Sequence, residues 1–554
     1  MQEVRLMALG GLDENGKNMF IVEIDGDIFV IDAGLKYPSE SEQLGIEYII
    51  PDFSYLIKNK DRVKAIFITH GHDDVMAALP YIIKEADFKV YTTALTAKIL
   101  DVEFKKNKVR KKCNIISRNQ TLKIAGHKIR TFPVMQSIAD GFGLSFFTDE
   151  GQIIYTSEFV VDYDIKNSAF AMDINTFSEM GSNNVLCLMT ESVGANNVGY
   201  TSPRHKITDK IETYFESCEN RIVITLYKQN LYRIMEVLEL ARKNNRRVLF
   251  YDDEHVRLLN FVEELGYYEI PKEIILTKKE FNNDLEDVVV VVSGSGDEVF
   301  KVMNKIAIHE DQLIDLRPSD TVIIASPIVP GTEKVASSME NELYKDGVDV
   351  IKVSAKEVLS MHASSEDLKM MLFMLKPKYY LPVKGDYASL IANATLATDM
   401  GYKPDKIIIL DNGQVAQFED GRLKSTKEMI PLIDNIIDGN DKLDVQGMVL
   451  RDRETLSTEG AIVVGVFLNF KTKEVVGGPD VQSRGVIYLK DADYIINEVG
   501  NILIETIKQA VAEKRYENMA VRMEAKEKMS KYILKETGKR PMILPAIVEI
   551  RLED

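Results

Sequence analysis

Two histidines and two aspartates stand together in His70-Gly-His72-Asp-Asp74, directly after the apolar run Val63-Lys-Ala-Ile-Phe-Ile-Thr69. A loop at the end of a buried strand can turn two imidazoles and a carboxylate toward one point. Neutral imidazole with carboxylate suits a borderline divalent ion. Two histidines at i, i+2 are by themselves a modest signal, because a polar loop without an ion explains them equally well.

The elements that must position this loop can be read around it. Met19–Ile24 and Ile28–Ile31 flank Asp25-Gly26-Asp27, and Asp-Gly between two apolar runs predicts a hairpin. Asp32-Ala-Gly34 closes the second strand, and Ala77–Ile83 reads as helix. Strands are expected near 129–134, 144–148, 152–156 and 185–190. From about 205 the texture changes. Helices are expected over 206–218 and 230–244, with strands at Arg221–Leu226, Arg247–Phe250, Val288–Val292 and Thr321–Ala325. Continuous apolar strands alternating with helices predict a parallel sheet covered on both faces. The β signal returns at Asp349–Val353, Tyr379–Val383 and Lys406–Leu410. Residues 434–460 read as a connector. A last unit is expected to hold strands at 461–468 and 485–489, a helical run from about 492 to 536 broken near Gly500, and a closing strand Ala546–Ile550.

The chain has 554 residues, enough for roughly three or four domains. It is 45% hydrophobic, which excludes a disordered chain. No run approaches the roughly 18 apolar residues of a membrane helix. The N-terminal residues lack the pattern of a secretion signal, and three cysteines (Cys113, Cys187, Cys218) form no framework, so a cytoplasmic protein with free thiols is expected. The net charge of −17 argues against a histone-like coat on nucleic acid but not against an RNA groove.

Asp32-Ala-Gly34 after a hairpin, then His-x-His-x-Asp after the next strand, resembles the metallo-β-lactamase fold. Gly10-Gly-Leu-Asp-Glu-Asn-Gly-Lys-Asn18, the α/β insertion and Pro382-Val-Lys-Gly-Asp386 extend the resemblance to ribonuclease J, an RNA-processing member of the β-CASP branch. The resemblance spans the chain. It implies an α/β protein: a metallo-β-lactamase αββα sandwich over residues 1–204 and 352–430, a β-CASP domain inserted at 205–351, a linker at 431–454 and a C-terminal α+β oligomerisation domain at 455–554. It also implies two metal ions, zinc or manganese, and phosphodiester hydrolysis.

Carried over residue by residue, the family's His-x-His-x-Asp-His falls on His70, His72, Asp74 and Val75. Its next histidine falls on Gln136, its bridging aspartate on Glu158 and its final histidine on Lys384. Valine has no lone pair, the glutamine oxygen is a weak neutral donor, and lysine brings a charge that repels a divalent ion. The resemblance so corrected implies either one weakly held ion on His70, His72 and Glu158, with or without Gln136, or none. Lys384 is expected as a cation near Asp74 and Glu158. Asp74, Glu158 and His362 are the candidate catalytic groups.

Other family motifs are altered too. The aspartate that opens the β-CASP region becomes Glu191. The family's His-x-Ser-Gly-His, which touches RNA phosphate in relatives, falls on Val358-Leu359-Ser360-Met361-His362. The phosphate-pocket loop reads Ser293-Gly294-Ser295-Gly-Asp297-Glu298, where Asp297 would repel a phosphate if it points inward. Of the seven histidines, His127, His205, His255 and His309 fall outside the motifs and read as structural. The basic clusters Lys105–Lys112 and Arg242–Arg247 and the charged helix over 513–536 read as solvated surface.

A fold, insertion and C-terminal unit kept while metal ligands change resembles the second, degenerate ribonuclease J paralogue of some Gram-positive bacteria. That implies RNA and an active ribonuclease J paralogue as partners, or a homodimer, with no membrane. It implies roles in mRNA decay and ribosomal RNA maturation, with a weak or absent 5′→3′ exonuclease activity of its own. The rival expectation is a low-activity, one-metal exo- or endoribonuclease using manganese or zinc. A small-molecule metallohydrolase fits less well, because the β-CASP insertion typifies nucleases.

Overall fold

The computed structural model describes residues 2–38, 46–328, 332–438, 441–442, 448–486 and 493–551. The chain divides into two compact units, one of residues 1–40 and 47–440 and the other of residues 41–46 and 441–554.

Two sheets stack at the heart of the larger unit. The first runs in the order Arg422–Met429, Gln414–Glu419, Glu3–Gly10, Met19–Ile24, Asp27–Ile31, Val63–Phe67, Val90–Thr92, Asn114–Ile115. The second runs Tyr379–Val383, Val185–Glu191, Gly151–Tyr155, Phe142–Thr148, His127–Pro133, Gln120–Ile124. One apolar layer joins them, with Phe20, Phe29 and Phe67 from the first meeting Phe146, Tyr155 and Leu381 from the second. Helices Leu79–Glu85 and Ala94–Lys106 cover the outer face of the first sheet through Ile82, Leu100 and Phe104. Helices Ile174–Ser182 and Ser365–Leu375 cover the second through Phe177, Leu368 and Met371. The layers are therefore helix, sheet, sheet, helix. The hairpin forms as expected, with Ile24 opposite Asp27 and both Asp25 and Gly26 at positive φ.

Between the second sheet's Val185–Glu191 and Tyr379–Val383 the chain builds a third sheet, ordered Ile275–Leu276, Arg247–Phe250, Val288–Gly294, Ile222–Tyr227, Thr321–Ile324, Asp349–Lys352. Every pairing in it is parallel. The valine run explains itself here: Val289 and Val291 enter one apolar cluster, while Val288, Val290 and Val292 enter the other.

The smaller unit holds a sheet ordered Val475–Arg484, Ala461–Asn469, Met542–Ile550. Ile462, Val464, Val466 and Leu468 share a core with Val499, Leu503, Val521 and Met529 from helices Asp493–Ala512 and Asn518–Thr537.

Four expectations change. The helical run breaks at 513–517 rather than near Gly500. Gly500 lies inside its helix because a Cβ there would meet Pro479 Cγ at 2.7 Å, so the glycine serves packing and not a turn. Lys406–Leu410 makes one bridge, Ile407 to Tyr380, instead of a strand. The expected connector carries strand Asn435–Asp438, paired with Tyr48–Ile50, and helix Met448–Thr458. The strand expected at 485–489 ends by Arg484, and residues 487–489 lie outside those described. Cys187 is buried, Cys113 and Cys218 are half-buried, and all are free. Among the described residues, no helix is long and apolar enough to cross a membrane.

Candidate metal centre

Loops at the ends of the two stacked sheets converge on one pocket. Asp32 follows Asp27–Ile31; His70, His72 and Asp74 follow Val63–Phe67; Gln136 and Ser137 follow His127–Pro133. Glu158 follows Gly151–Tyr155, and Lys384 follows Tyr379–Val383. Asp32, Asp140, Ser157 and Lys384 all take positive φ, between 57° and 71°. Non-glycine residues hold that conformation only where surrounding structure imposes it. The His70–Asp74 loop lies directly against Gly34, where a Cβ would come within 1.5 Å of Asp74 O. Glycine is the residue that permits this approach.

His70 Nε2, His72 Nδ1 and a Glu158 carboxylate oxygen form a buried triangle. Its edges are 3.2 Å between the imidazoles, 3.4 Å from His70 to Glu158 Oε2 and 3.5 Å from His72 to the same oxygen. A tetrahedral ion with bonds of about 2 Å needs ligands about 3.3 Å apart. The outer nitrogens are engaged by hydroxyls. Thr69 Oγ1 donates to Asp32 Oδ1 at 2.9 Å and is thus free to accept from His70 Nδ1 at 3.0 Å, while Ser137 Oγ lies 3.0 Å from His72 Nε2. With Nδ1 protonated, the lone pair of His70 Nε2 would face an ion shared with Glu158. Burial lowers the His70 imidazole to about 4, so it is neutral at pH 7. Gln136 is fully buried and neither atom of its amide has a protein partner. The donor set fits a single ion. When bound, such an ion supplies Lewis-acid activation of a phosphodiester or of water.

A second ion does not fit. Val75 is packed in the apolar layer with Ile21 and Val30. Lys384, 2% exposed, ion-pairs with Glu158 Oε1 and lies 3.5 Å from Asp74 Oδ2. Asp74 is held by Asn18, whose amide donates to its Oδ2 and to its backbone carbonyl, each at 2.9 Å. Burial opposes both charges of the Lys384–Glu158 pair, but their mutual attraction outweighs it, so the ammonium is raised and the carboxylate held well below the usual range. Burial raises the Asp32 carboxyl to about 7, even with Lys384 and Thr69 opposing.

Glu191 organises the neighbouring edge. Its Oε1 accepts from Phe159 N and Ala363 N, and its Oε2 lies 2.6 Å from His362 Nδ1. Burial works against an imidazolium at His362, yet Glu191 and Glu158 overcome it and push the group up to about 9. In the segment before it, Ser360 is exposed, whereas Val358, Leu359 and Met361 bury their side chains and leave only backbone to a ligand. Ser293 Oγ sits 3.0 Å from His255 Nδ1, and His255 Nε2 donates to Lys228 O at 2.8 Å. Ser295 N already donates to Glu298 at 3.2 Å, so a carboxylate of the chain sits at this would-be anion nest. A Cβ on Gly294 would meet Val299 N at 2.5 Å. Asp297 pairs with Lys301 at 2.7 Å.

Sequence reasoning missed the groups that orient the ligands: Thr69, Ser137, Ser157 and Asn18. Each lies within or beside a motif already singled out, which was the available signal. It also missed Tyr37, whose hydroxyl donates to Asp73 at 2.9 Å.

Four family models match successive parts of the chain. Residues 12–122 match the metallo-β-lactamase superfamily, and residues 219–343 match the ribonuclease J β-CASP domain. Residues 350–409 match the Zn-dependent metallo-hydrolase RNA specificity domain, and residues 448–550 the ribonuclease J C-terminal domain. Fold and pocket thus define a metallo-β-lactamase protein with a β-CASP insertion, of the class of RNA-specific metallo-hydrolases. Ribonuclease J 2 of Staphylococcus saprophyticus and that of Staphylococcus aureus are each 32% identical over 552 residues, covering 99% of this chain and 99% of the relative. The chain belongs to the ribonuclease J family and is similar to its second paralogue. A solved structure of a protein of unknown function from Enterococcus faecalis shares the fold, with a TM-score of 0.52 at 15% identity, over 75% of this chain and all of that one.

Proposed function

We propose that this chain is a cytoplasmic ribonuclease J-type subunit of RNA processing and decay. It acts in mRNA turnover and ribosomal RNA maturation by assembling with an active ribonuclease J paralogue, and its own 5′→3′ exonuclease activity is weak or absent. One observation carries the reading: the second cation position is taken by Lys384, whose ammonium pairs with Glu158. The domains divide as 1–204 with 352–430, 205–351, and 455–554 after a linker at 431–454. RNA phosphate meets Ser360 and His362, and reaches the loop Ser293–Ser295 only by displacing Glu298 from Ser295 N. Pairing uses the C-terminal sheet, where Val463, Phe467, Leu544 and Val548 are exposed. Val463 lies opposite Leu544, and Phe467 opposite Val548, across two neighbouring strands.

The second reading, a low-activity one-ion exo- or endoribonuclease with zinc or manganese, is favoured by the His70–His72–Glu158 triangle. In it, Asp74, Glu158 and His362 act on the scissile phosphate. One assay separates the two: bound metal and cleavage of a 5′-monophosphorylated RNA, with and without Mn²⁺, on one preparation. His70→Ala and Glu158→Ala serve as controls. The subunit reading expects no cleavage that these variants abolish. Cleavage that both abolish, with stoichiometric metal, would establish the enzyme instead.

A further inference from the structure

We propose that the Lys384 ammonium is a tethered cation standing between Asp74 and Glu158 in place of a second divalent ion, so that the pocket takes at most one ion and stays folded with none. The inference concerns the pocket's own charge balance. It rests on the same Lys384 position as the subunit reading, but it is tested by ions bound and by melting rather than by cleavage or assembly, so its failure is distinguishable from a failure to assemble.

Three observations carry it. First, Glu158 is divided between the Lys384 ammonium and the imidazole pair that would hold an ion. Its Oε1 pairs with Lys384, while its Oε2 faces His70 and His72 at 3.4 and 3.5 Å. That is how a carboxylate bridges two cations, and here one of the two is covalently part of the chain. Second, the ammonium is fixed rather than swinging. Lys384 takes φ 57°, its carbonyl accepts from Ser192 N at 3.1 Å, and Gly385 O accepts from Glu14 N at 3.1 Å. A long side chain that is 2% exposed and begins at a backbone pinned on both sides has little room to leave. Third, among the described residues the second position offers an ion little beyond the carboxylates that the ammonium already engages. Val75 faces the apolar layer, and Asp74 Oδ2 is already engaged by Asn18 at 2.9 Å and Lys384 at 3.5 Å. A divalent ion entering there would meet the ammonium's repulsion with little in exchange.

Buried carboxylates need compensation, and a tethered ammonium provides it without dependence on ion supply. Removing the ammonium alone should therefore make the metal-free fold fragile and open the position to an ion. Keeping the charge in another shape should do neither.

The test uses the full chain stripped with EDTA, then titrated with Zn²⁺ or Mn²⁺ by calorimetry, with melting followed in parallel. Ions that still bind to a His70→Ala, Asp74→Ala double variant lie elsewhere and are subtracted. The native chain is expected to take no more than one ion and to melt in EDTA close to its metal-loaded value. Lys384→Met should melt roughly 3–6 °C lower in EDTA, and Mn²⁺ or Zn²⁺ should recover at least half of that loss. Lys384→Arg should melt near the native chain and still take no more than one ion. Two ions in the native pocket would overturn the proposal without any variant. So would a Lys384→Met chain as stable as the native one in EDTA, or one whose stability the ions fail to restore.

Discussion

The two candidate ligand imidazoles are each held from behind by a hydroxyl of a different origin: His70 by Thr69, the residue before it, and His72 by Ser137 from another loop. Groups that fix the ring and tautomer of a ligand typically tune ion affinity by 10–100-fold. Ser137→Ala is therefore expected to weaken ion binding about 10-fold or more with little change in melting, as calorimetry would report. Equal affinities would mean that the hydroxyl does not orient the ring. His362 supplies a pH signature. Its folded value of about 9 lies above the ordinary 6.5, so its pairing with Glu191 stabilises fully below about pH 6.5 and is lost as pH rises through 9. The loss should be on the order of 2 kcal/mol, discounted for the 24% of the side chain that water reaches. Denaturant titrations at pH 6 and pH 10 should show it, and Glu191→Gln should flatten the difference.

At the scale of elements, two neighbouring strands of the third sheet are tied at their starts by a buried ion pair. Arg221 precedes Ile222–Tyr227 and Asp320 precedes Thr321–Ile324; both are fully buried and lie 2.5 Å apart. Arg221 also donates to Asp315 O at 2.7 Å and to Asn283 Oδ1 at 2.8 Å. Asp320→Ala would strand the guanidinium and is expected to lower stability by about 3–5 kcal/mol. Hydrogen exchange should locate the loss in the third sheet; protection lost evenly throughout would contradict that placement. The strands themselves were legible because a sheet buried on both faces demands the unbroken apolar runs seen at Ile222–Leu226 and Val288–Val292. Lys406–Leu410 has the same texture but finds a neighbour only at Tyr380, and strand identity depends on a partner as much as on the run. The His-x-His loop could be read because strand and ligands are adjacent in sequence. Lys384 was legible only through the family resemblance, whereas Ser137 and Asn18 reach the loop from distant positions and only the folded sheets reveal that they meet it.

For the whole molecule, the exposed face of the C-terminal sheet predicts the assembly behaviour. Phe467→Asp with Val548→Asp should leave melting within about 1–2 °C, since both side chains are substantially exposed, while abolishing pairing with an active paralogue or a second copy. Light scattering that still reports the paired species would place the contact elsewhere. Removing residues 441–554 should have the same effect on assembly.

The positive-φ residues at the strand ends, Asp32, Asp140, Ser157 and Lys384, carry a consequence for how this pocket changes over generations. Its outline is written in the main chain and braced by two sheets, whereas its chemistry is written in a few side chains at the loop ends. The two can therefore drift apart. Here an amide (Gln136) and an ammonium (Lys384) stand at loop ends that the same outline could offer to imidazoles. Restoring histidine at Val75, Gln136 and Lys384 together would ask whether the outline alone still remembers the older chemistry.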